Sequence, residues 1–212
     1  SGAGLVSVAL AKENHSALQA RLPEAMTLDF DDLIKLREVA KAADVIVIGP
    51  GLGLERLDLL TEVLNLLTEN QKLVIDGSAL TLFAREHLDL PFPENTVFTP
   101  HEMELERLSG LKIGQQTKEE VQDFVNQLGA IIVAKSSETR IFAPNRESFI
   151  LKIGSPAQAT GGMGDTLAGM VGGFLAQFHG ETEEVVAAAT YLHSLIASVL
   201  ARKTYVVLPS IN

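Results

Sequence analysis

Cysteine is absent from the 212-residue chain. A disulfide framework, a thiol nucleophile and a thiolate zinc site are therefore excluded. Positive charge is scarce as well: 17 Lys and Arg stand against 27 Asp and Glu, for a formal net charge of −10. That balance argues against a general binder of nucleic acid or of an anionic membrane, because either surface would repel the molecule as a whole. A local basic pocket stays compatible with it. Long clean apolar runs are missing too. The two most apolar stretches, 167–176 and 185–200, are broken by Gly or by Thr190, Tyr191, His193, Ser194 and Ser198. Neither supplies the roughly 20 apolar residues of a membrane span. The opening SGAGLVSVAL carries no basic flank or cleavage pattern of a signal peptide, so a soluble, cytoplasmic protein is expected. The P-loop pattern GxxxxGK[ST] is absent, with no Gly-Lys dipeptide anywhere, which argues against a P-loop enzyme.

What is present is ordinary globular composition, 46% apolar and 21% charged, at a length suited to one α/β domain. Short β-rich runs alternate with longer helical ones. Residues 5–9 read as a buried strand and 31–43 as an amphipathic helix, with Leu33, Leu36, Val39, Ala40 and Ala43 on one face. The continuous apolar run 44–48 suits a parallel strand covered on both faces. A glycine-rich turn, a helix with Leu57, Leu60, Leu64 and Leu67 inward, and a strand over 72–76 complete a βαβ unit. A helix is expected from near Ser78, a strand at 95–98 and a helix starting near His101. Thr117 and Glu120 form a capping box for a helix over 117–128, with Gly129 as its C-terminal cap. Strands at 130–134, 139–143 and 148–153 follow at close spacing, with a Pro-Asn-Arg turn before the last, and predict an antiparallel edge. Helices over 164–178 and 182–202 close the chain.

The strongest motif is Thr160-Gly-Gly-Met-Gly-Asp165, directly ahead of an apolar helix. Gly161, Gly162 and Gly164 remove Cβ atoms where a ligand must approach, and successive N–H groups at a helix start cradle an anion. Asp165 in the first turn is then placed to accept a proton from an attacking hydroxyl. A plain glycine-rich connection with a charge at the helix start is the competing reading. Gly49-Pro-Gly-Leu-Gly53 ends a buried strand on the side where open α/β sheets bind ligands, but its third glycine comes one residue early for the dinucleotide fingerprint. Thr99-Pro-His-Glu-Met-Glu104 begins a helix; Leu105 stands where the metalloprotease pattern HExxH needs its second histidine. There His101 is a candidate hydrogen-bonder to a ligand, and Glu104 a candidate partner of a water or hydrated Mg²⁺, both equally readable as polar helix-start residues. In Lys135-Ser-Ser-Glu-Thr139, Lys135 could meet a nucleotide phosphate, although an ordinary polar hairpin explains the segment as well. Asp76, at a strand end, faces the same cleft or caps the helix after it. His193, among Leu192, Leu195 and Ile196, reads as a packing residue.

The order of these segments carries more information than any one of them. GPGLG, VIDGSAL, TPHEMELERL, a Lys-x-x-x-Thr turn and GGMGD, in that sequence, resemble the ADP/ATP-dependent NAD(P)H-hydrate dehydratases. The resemblance spans nearly the whole chain, from Gly2-Ala-Gly-Leu-Val6 to His193. It implies a ribokinase-like fold: three layers, α/β/α, around a mainly parallel central sheet with antiparallel edge strands. It also implies a metabolite-repair reaction, in which hydrated NADH or NADPH (NADHX, NADPHX) is phosphorylated on its ring hydroxyl by ADP or ATP and then loses phosphate. Carried over residue by residue, Asp165 is the base and contacts the substrate, with His101, Gly51 and Gly53 lining the same side. Lys135, Ser136, Ser137, Glu138 and Thr139 bind the adenine nucleotide together with Gly164, beside the cradle of Gly161 and Gly162. Glu104 matches the acidic position associated with Mg²⁺, and Asp76 is a cleft residue.

Two departures stand out. Ser78 replaces a second Asp usual after this strand, and Ser136 replaces a Gly usual after the lysine. Residues 1–212 are expected to form a single ribokinase-like domain without the strand and helix that relatives place ahead of GAGLV. Relatives form homotetramers, so a homo-oligomer is expected. The partners are small molecules rather than nucleic acid or membrane, with ADP the expected phosphoryl donor. The rival readings are a vitamin-precursor kinase of the same fold and a nucleotide sensor without turnover.

Overall fold

The alternation of buried β runs with amphipathic helices builds two layers of helix around one sheet. The computed structural model describes residues 3–153 and 161–203; Thr160, at the head of the glycine motif, lies outside them. The chain opens with β1 (Ser7–Leu10), α1 (His15–Arg21), β2 (Met26–Asp29), α2 (Leu33–Ala42), β3 (Val45–Ile48) and α3 (Leu57–Leu66). It continues through β4 (Lys72–Ile75), α4 (Gly77–Arg85), β5 (Thr96–Phe98), α5 (Glu102–Ser109), α6 (Lys118–Leu128) and β6 (Ile131–Ala134). The antiparallel strands β7 (Arg140–Phe142) and β8 (Phe149–Ile150) follow, then α7 (Met163–Gln177) and α8 (Thr182–Lys203).

The main sheet has the order β3-β4-β5-β6-β7-β8. Its first four strands are parallel, in register Ile48↔Ile75, Ile75↔Phe98 and Phe98↔Ile132, and β7 and β8 add the antiparallel edge. Because side chains alternate along each strand, Leu73, Ile75, Phe98 and Ile132 face one way and meet Leu60, Leu80, Leu105 and Val125 of α3 to α6. Val74, Val97, Ile131 and Val133 face the other way, onto Leu167, Ala168 and Val171 of α7 and Val186 and Ala189 of α8. The three-layer architecture follows directly, and all four parallel strands deliver their carboxyl ends to one edge.

Several expectations are corrected. The strand expected at 5–9 lies instead at 7–10 and is not buried: β1 pairs only with β2, in a separate two-stranded parallel sheet, and Leu5 is 89% exposed. Neither β2 nor α1 stands out in the sequence, because both are short and α1 buries no residue. The run 44–48 is not covered on both faces. As an edge strand β3 leaves Val47 39% exposed, with Gly172 of α7 packed against the rest of its side chain. The last strand shrinks from 148–153 to two residues, both exposed. The expected box at Thr117 gives the Thr117 half, its hydroxyl accepting the Glu120 N–H at 3.2 Å; Gly129 caps the helix in the left-handed conformation, as expected.

A latch absent from the sequence reading joins the helical layer to the sheet. Buried Gln71 donates from Nε2 to the carbonyls of Ala40 (2.8 Å) and Ala43 (2.6 Å), and its Oε1 accepts the Thr68 N–H. It thereby satisfies carbonyls at the end of α2 that a helix terminus leaves unpaired.

Candidate functional site

The residues singled out in the sequence cluster along the carboxyl edge of β3 to β6 and the start of α7. Gly49 follows β3, Asp76 follows β4, Thr99 follows β5 and Lys135 follows β6. Hydrogen bonding continues beyond the strands and fixes their level: the Asp76 N–H donates to the Ile48 carbonyl, the Thr99 N–H to that of Ile75, and the Lys135 N–H to that of Pro100. His101 and Lys135 share an isolated parallel bridge.

Lys135 and Asp76 form the ion pair at the centre of this edge. The Nζ of Lys135 lies 2.9 Å from Asp76 Oδ1, with the carboxylate side chain 3% exposed and the lysine 21%. The pair arches over the end of β5, the strand between them. Gly164 packs beneath it: a Cβ there would stand 3.2 Å from Lys135 Nζ and 3.9 Å from Asp76 Oδ2. Asp76 after β4, Lys135 after β6 and Gly164 of α7 thus converge, with little room for a side chain at Gly164.

Helix α7 starts as the motif predicts. Gly162 is its N-cap in the left-handed region, at φ +85°, and Asp165 lies exposed in the first turn. The Gly162 carbonyl accepts both the N–H and the hydroxyl of Thr166. The first N–H groups of a helix lack intrahelical partners and point outward with the positive end of the dipole. Beside them stands a lysine ammonium. Together they are suited to the phosphates of a nucleotide, with Asp165 at hand for a hydroxyl.

His101 is the N-cap of α5. Its Nδ1 accepts the N–H groups of Met103 (3.2 Å) and Glu104 (3.3 Å), while the Glu104 carboxylate accepts the His101 N–H at 2.8 Å. The reciprocal box absent at Thr117 forms here. Since Nδ1 accepts, the ring proton resides on Nε2, and the ring is half exposed. Glu104 is buried and turned to this cap. Among the described residues no group of three His, Cys, Asp or Glu could hold a metal ion.

The turn after Lys135 is organised by Ser136, whose hydroxyl accepts the Glu138 N–H at 3.1 Å and donates to the Glu138 carbonyl at 2.8 Å. The positive-φ residues other than glycine are His87 and Asn145 among those described, so Ser136 introduces no backbone strain at this turn. Ser137 and Glu138 are exposed, and Thr139 donates to the Ser136 carbonyl. A cavity of about 290 Å³ opens on the α5–α6 side of this turn, bounded by Lys135, Ser136, Glu138, Gln116, Thr117 and Arg140. On the opposite flank Gly51 and Gly53 adopt φ +67° and +86°, and the Leu52 N–H donates to the Gly49 carbonyl at 3.0 Å, so the GPGLG loop turns sharply as it leaves β3.

Two residues near this edge were given no site role from the sequence. Thr99 is fully buried and its hydroxyl makes no hydrogen bond; its place directly after an apolar run, like that of Asp76 and Lys135, was the available signal. His193 is more than core filler. It reaches from α8 to bond the backbone of Met163 at the start of α7; burial holds its imidazole pKa below the ordinary value, the Met163 bond opposes that, and the charge of Lys135 adds to it.

Comparison with known proteins agrees with this geometry. The family model described as NAD(P)H-hydrate dehydratase matches residues 1–211. The chain is 50% identical over 212 residues to an ADP-dependent (S)-NAD(P)H-hydrate dehydratase of Enterococcus faecalis, covering 99% of this chain and 72% of that protein. A crystal structure of a ribokinase-like superfamily protein from Enterococcus faecalis superposes with TM-score 0.92 at 49% identity, over 97% of this chain and 72% of that one. An ADP/ATP-dependent NAD(P)H-hydrate dehydratase of Bacillus subtilis, co-crystallised with ATP/Mg²⁺ and soaked with CoA, gives TM-score 0.79 at 27% identity, over 96% and 74%.

Proposed function

The chain belongs to the NAD(P)H-hydrate dehydratase family, and we propose that it is a repair lyase that returns (S)-NAD(P)H hydrate to NAD(P)H at the expense of ADP. The observation that carries this reading is the meeting of Lys135, Asp76 and Gly164 at the start of the helix that bears Asp165. The terminal phosphate of the nucleotide lies against the N–H groups of Gly161, Gly162 and Gly164 and beside Lys135. The hydrated nicotinamide lies between His101 and the loop at Gly51 and Gly53, with its ring hydroxyl toward Asp165. Asp165 takes the hydroxyl proton as the oxygen attacks phosphorus, and the bond to the departing AMP breaks. The ring nitrogen then expels phosphate from the neighbouring carbon, and loss of the adjacent ring proton restores the double bond.

Ser136, Ser137, Glu138 and Thr139 are assigned to the rest of the nucleotide. ADP is favoured over ATP because relatives 47% to 50% identical carry that dependence in their names. The described donors do not form a protein cage for a resident ion, so Mg²⁺ is assigned to the nucleotide as part of the co-substrate, and no step rests on it; Glu104, buried and bonded to the His101 N–H, is assigned a place behind that site through the cap of α5. The exposed Tyr191, Ile196 and Val199 of α8 support a homo-oligomer, up to the expected tetramer; light scattering tests it. A cytoplasmic site of action and a single domain over residues 1–212 complete the proposal.

The test is to supply hydrated NADH or NADPH with ADP and with ATP in parallel and to follow recovery of the dihydronicotinamide absorbance. Recovery with ADP is expected. Stable accumulation of a phosphorylated vitamin precursor, with no recovery, would assign the chain to the kinases of this fold instead.

A further inference from the structure

Asp76 touches both halves of the cleft, and the reaction as written above gives it no task. Its backbone holds the substrate-side loop. The Asp76 N–H donates to the Ile48 carbonyl, and the Asp76 carbonyl lies so close to Gly49 that a Cβ there would be 1.7 Å from its oxygen. Its side chain, 3% exposed, reaches the other way and holds Lys135 at 2.9 Å across the end of β5. A buried carboxylate is costly unless paired, and the lysine is its ionic partner. The pairing has two consequences for an incoming nucleotide. It fixes the ammonium next to Gly164, against the glycine cradle, and it cancels much of the positive charge that would otherwise attract phosphate.

We propose that Asp76 is a positioning residue that trades nucleotide affinity for alignment: it holds Lys135 in register with the glycine cradle and with the substrate loop at Gly49–Gly53, while moderating the pull of Lys135 on ADP. The proposal deepens the assignment of Lys135 to the nucleotide and rests on it. It makes a prediction of opposite signs. With its carboxylate neutralised by Asp76→Asn, Lys135 carries an uncompensated charge and binds ADP more tightly, by about 3- to 10-fold. Alignment is lost at the same time, and turnover falls by about 10- to 100-fold, the scale of a misplacement near 1 Å. A purely structural role would weaken both or neither.

The experiment measures ADP binding by calorimetry, without hydrate, for the wild-type chain, Asp76→Asn, Lys135→Ala and the double variant, and in parallel the kcat of hydrate turnover. Tighter ADP binding in Asp76→Asn that disappears in the Lys135→Ala background, with a lowered kcat, supports the proposal. Unchanged or weaker ADP binding in Asp76→Asn overturns it. Should that variant not fold, Lys135→Arg decides: it keeps the charge but alters its place, so ADP affinity within about threefold of wild type with kcat down about tenfold or more supports alignment, and full turnover overturns it. If the wild-type chain binds ADP yet dehydrates no hydrate, the reaction assigned above fails while the affinity arm still decides the role of Asp76.

Discussion

Gly49 packs on the carbonyl of Asp76 so closely that a methyl group at its Cα would lie 1.7 Å from the oxygen, and its φ is +125°. Both facts forbid a side chain there. Gly49→Ala therefore costs at least about 3 kcal/mol, from steric displacement added to backbone strain. Gly51, two residues on, has φ +67° but nothing within 4 Å of a would-be Cβ, so Gly51→Ala costs only about 1 kcal/mol. Chemical denaturation of the two variants measures the difference. Equal losses would show that crowding against Asp76 does not set the loop.

The contrast illustrates what could be read from the sequence. Glycines after an apolar strand marked the loop, and the apolar runs at Leu73, Val97 and Ile131 located the inner parallel strands, because burial on both faces leaves a compositional trace, whereas the equally apolar run at Val45 is an edge strand left partly open. Asp165, Lys135 and His101 were legible from motif order. The pairing of Lys135 with Asp76 was not, since it joins residues 59 apart through sheet order alone. His193 was legible as a buried residue but not as the prop of α7, for the same reason. Strand β2 and helix α1 were missed because they bury little, so periodicity had nothing to record.

His101 caps α5 through Nδ1, and its half-exposed ring is proposed to line the substrate side, so the two roles separate by substitution. Asn at an N-cap accepts the same backbone bonds. His101→Asn therefore keeps stability within about 0.5 kcal/mol, whereas His101→Ala loses about 1 kcal/mol. Both variants are expected to raise KM for the hydrate. Thermal unfolding and steady-state kinetics on the pair check this, and an unchanged KM in His101→Asn would remove His101 from the substrate side.

His193 makes stability depend on pH in a defined direction. Its folded pKa lies below the ordinary 6.5, chiefly through burial. Between the two values the unfolded chain binds more protons than the folded one, so stability rises with pH across that window. The contribution is complete above the unfolded value and is lost as pH falls through the folded one. His193→Gln should flatten that part of a Tm-against-pH curve; a curve parallel to wild type would contradict the assignment.

The proposed reaction assigns the base to Asp165, exposed in the first turn of α7 beside the cradle. Replacing its carboxylate by an amide removes the proton acceptor and leaves the backbone donors and Lys135 in place. General-base loss of this kind costs about 10²- to 10⁴-fold in rate. Turnover of hydrated NADH with ADP, set beside ADP affinity from calorimetry, measures both at once in wild type and in Asp165→Asn. The account predicts that turnover falls at least about 100-fold while ADP binds as before. Near wild-type turnover in Asp165→Asn would contradict it.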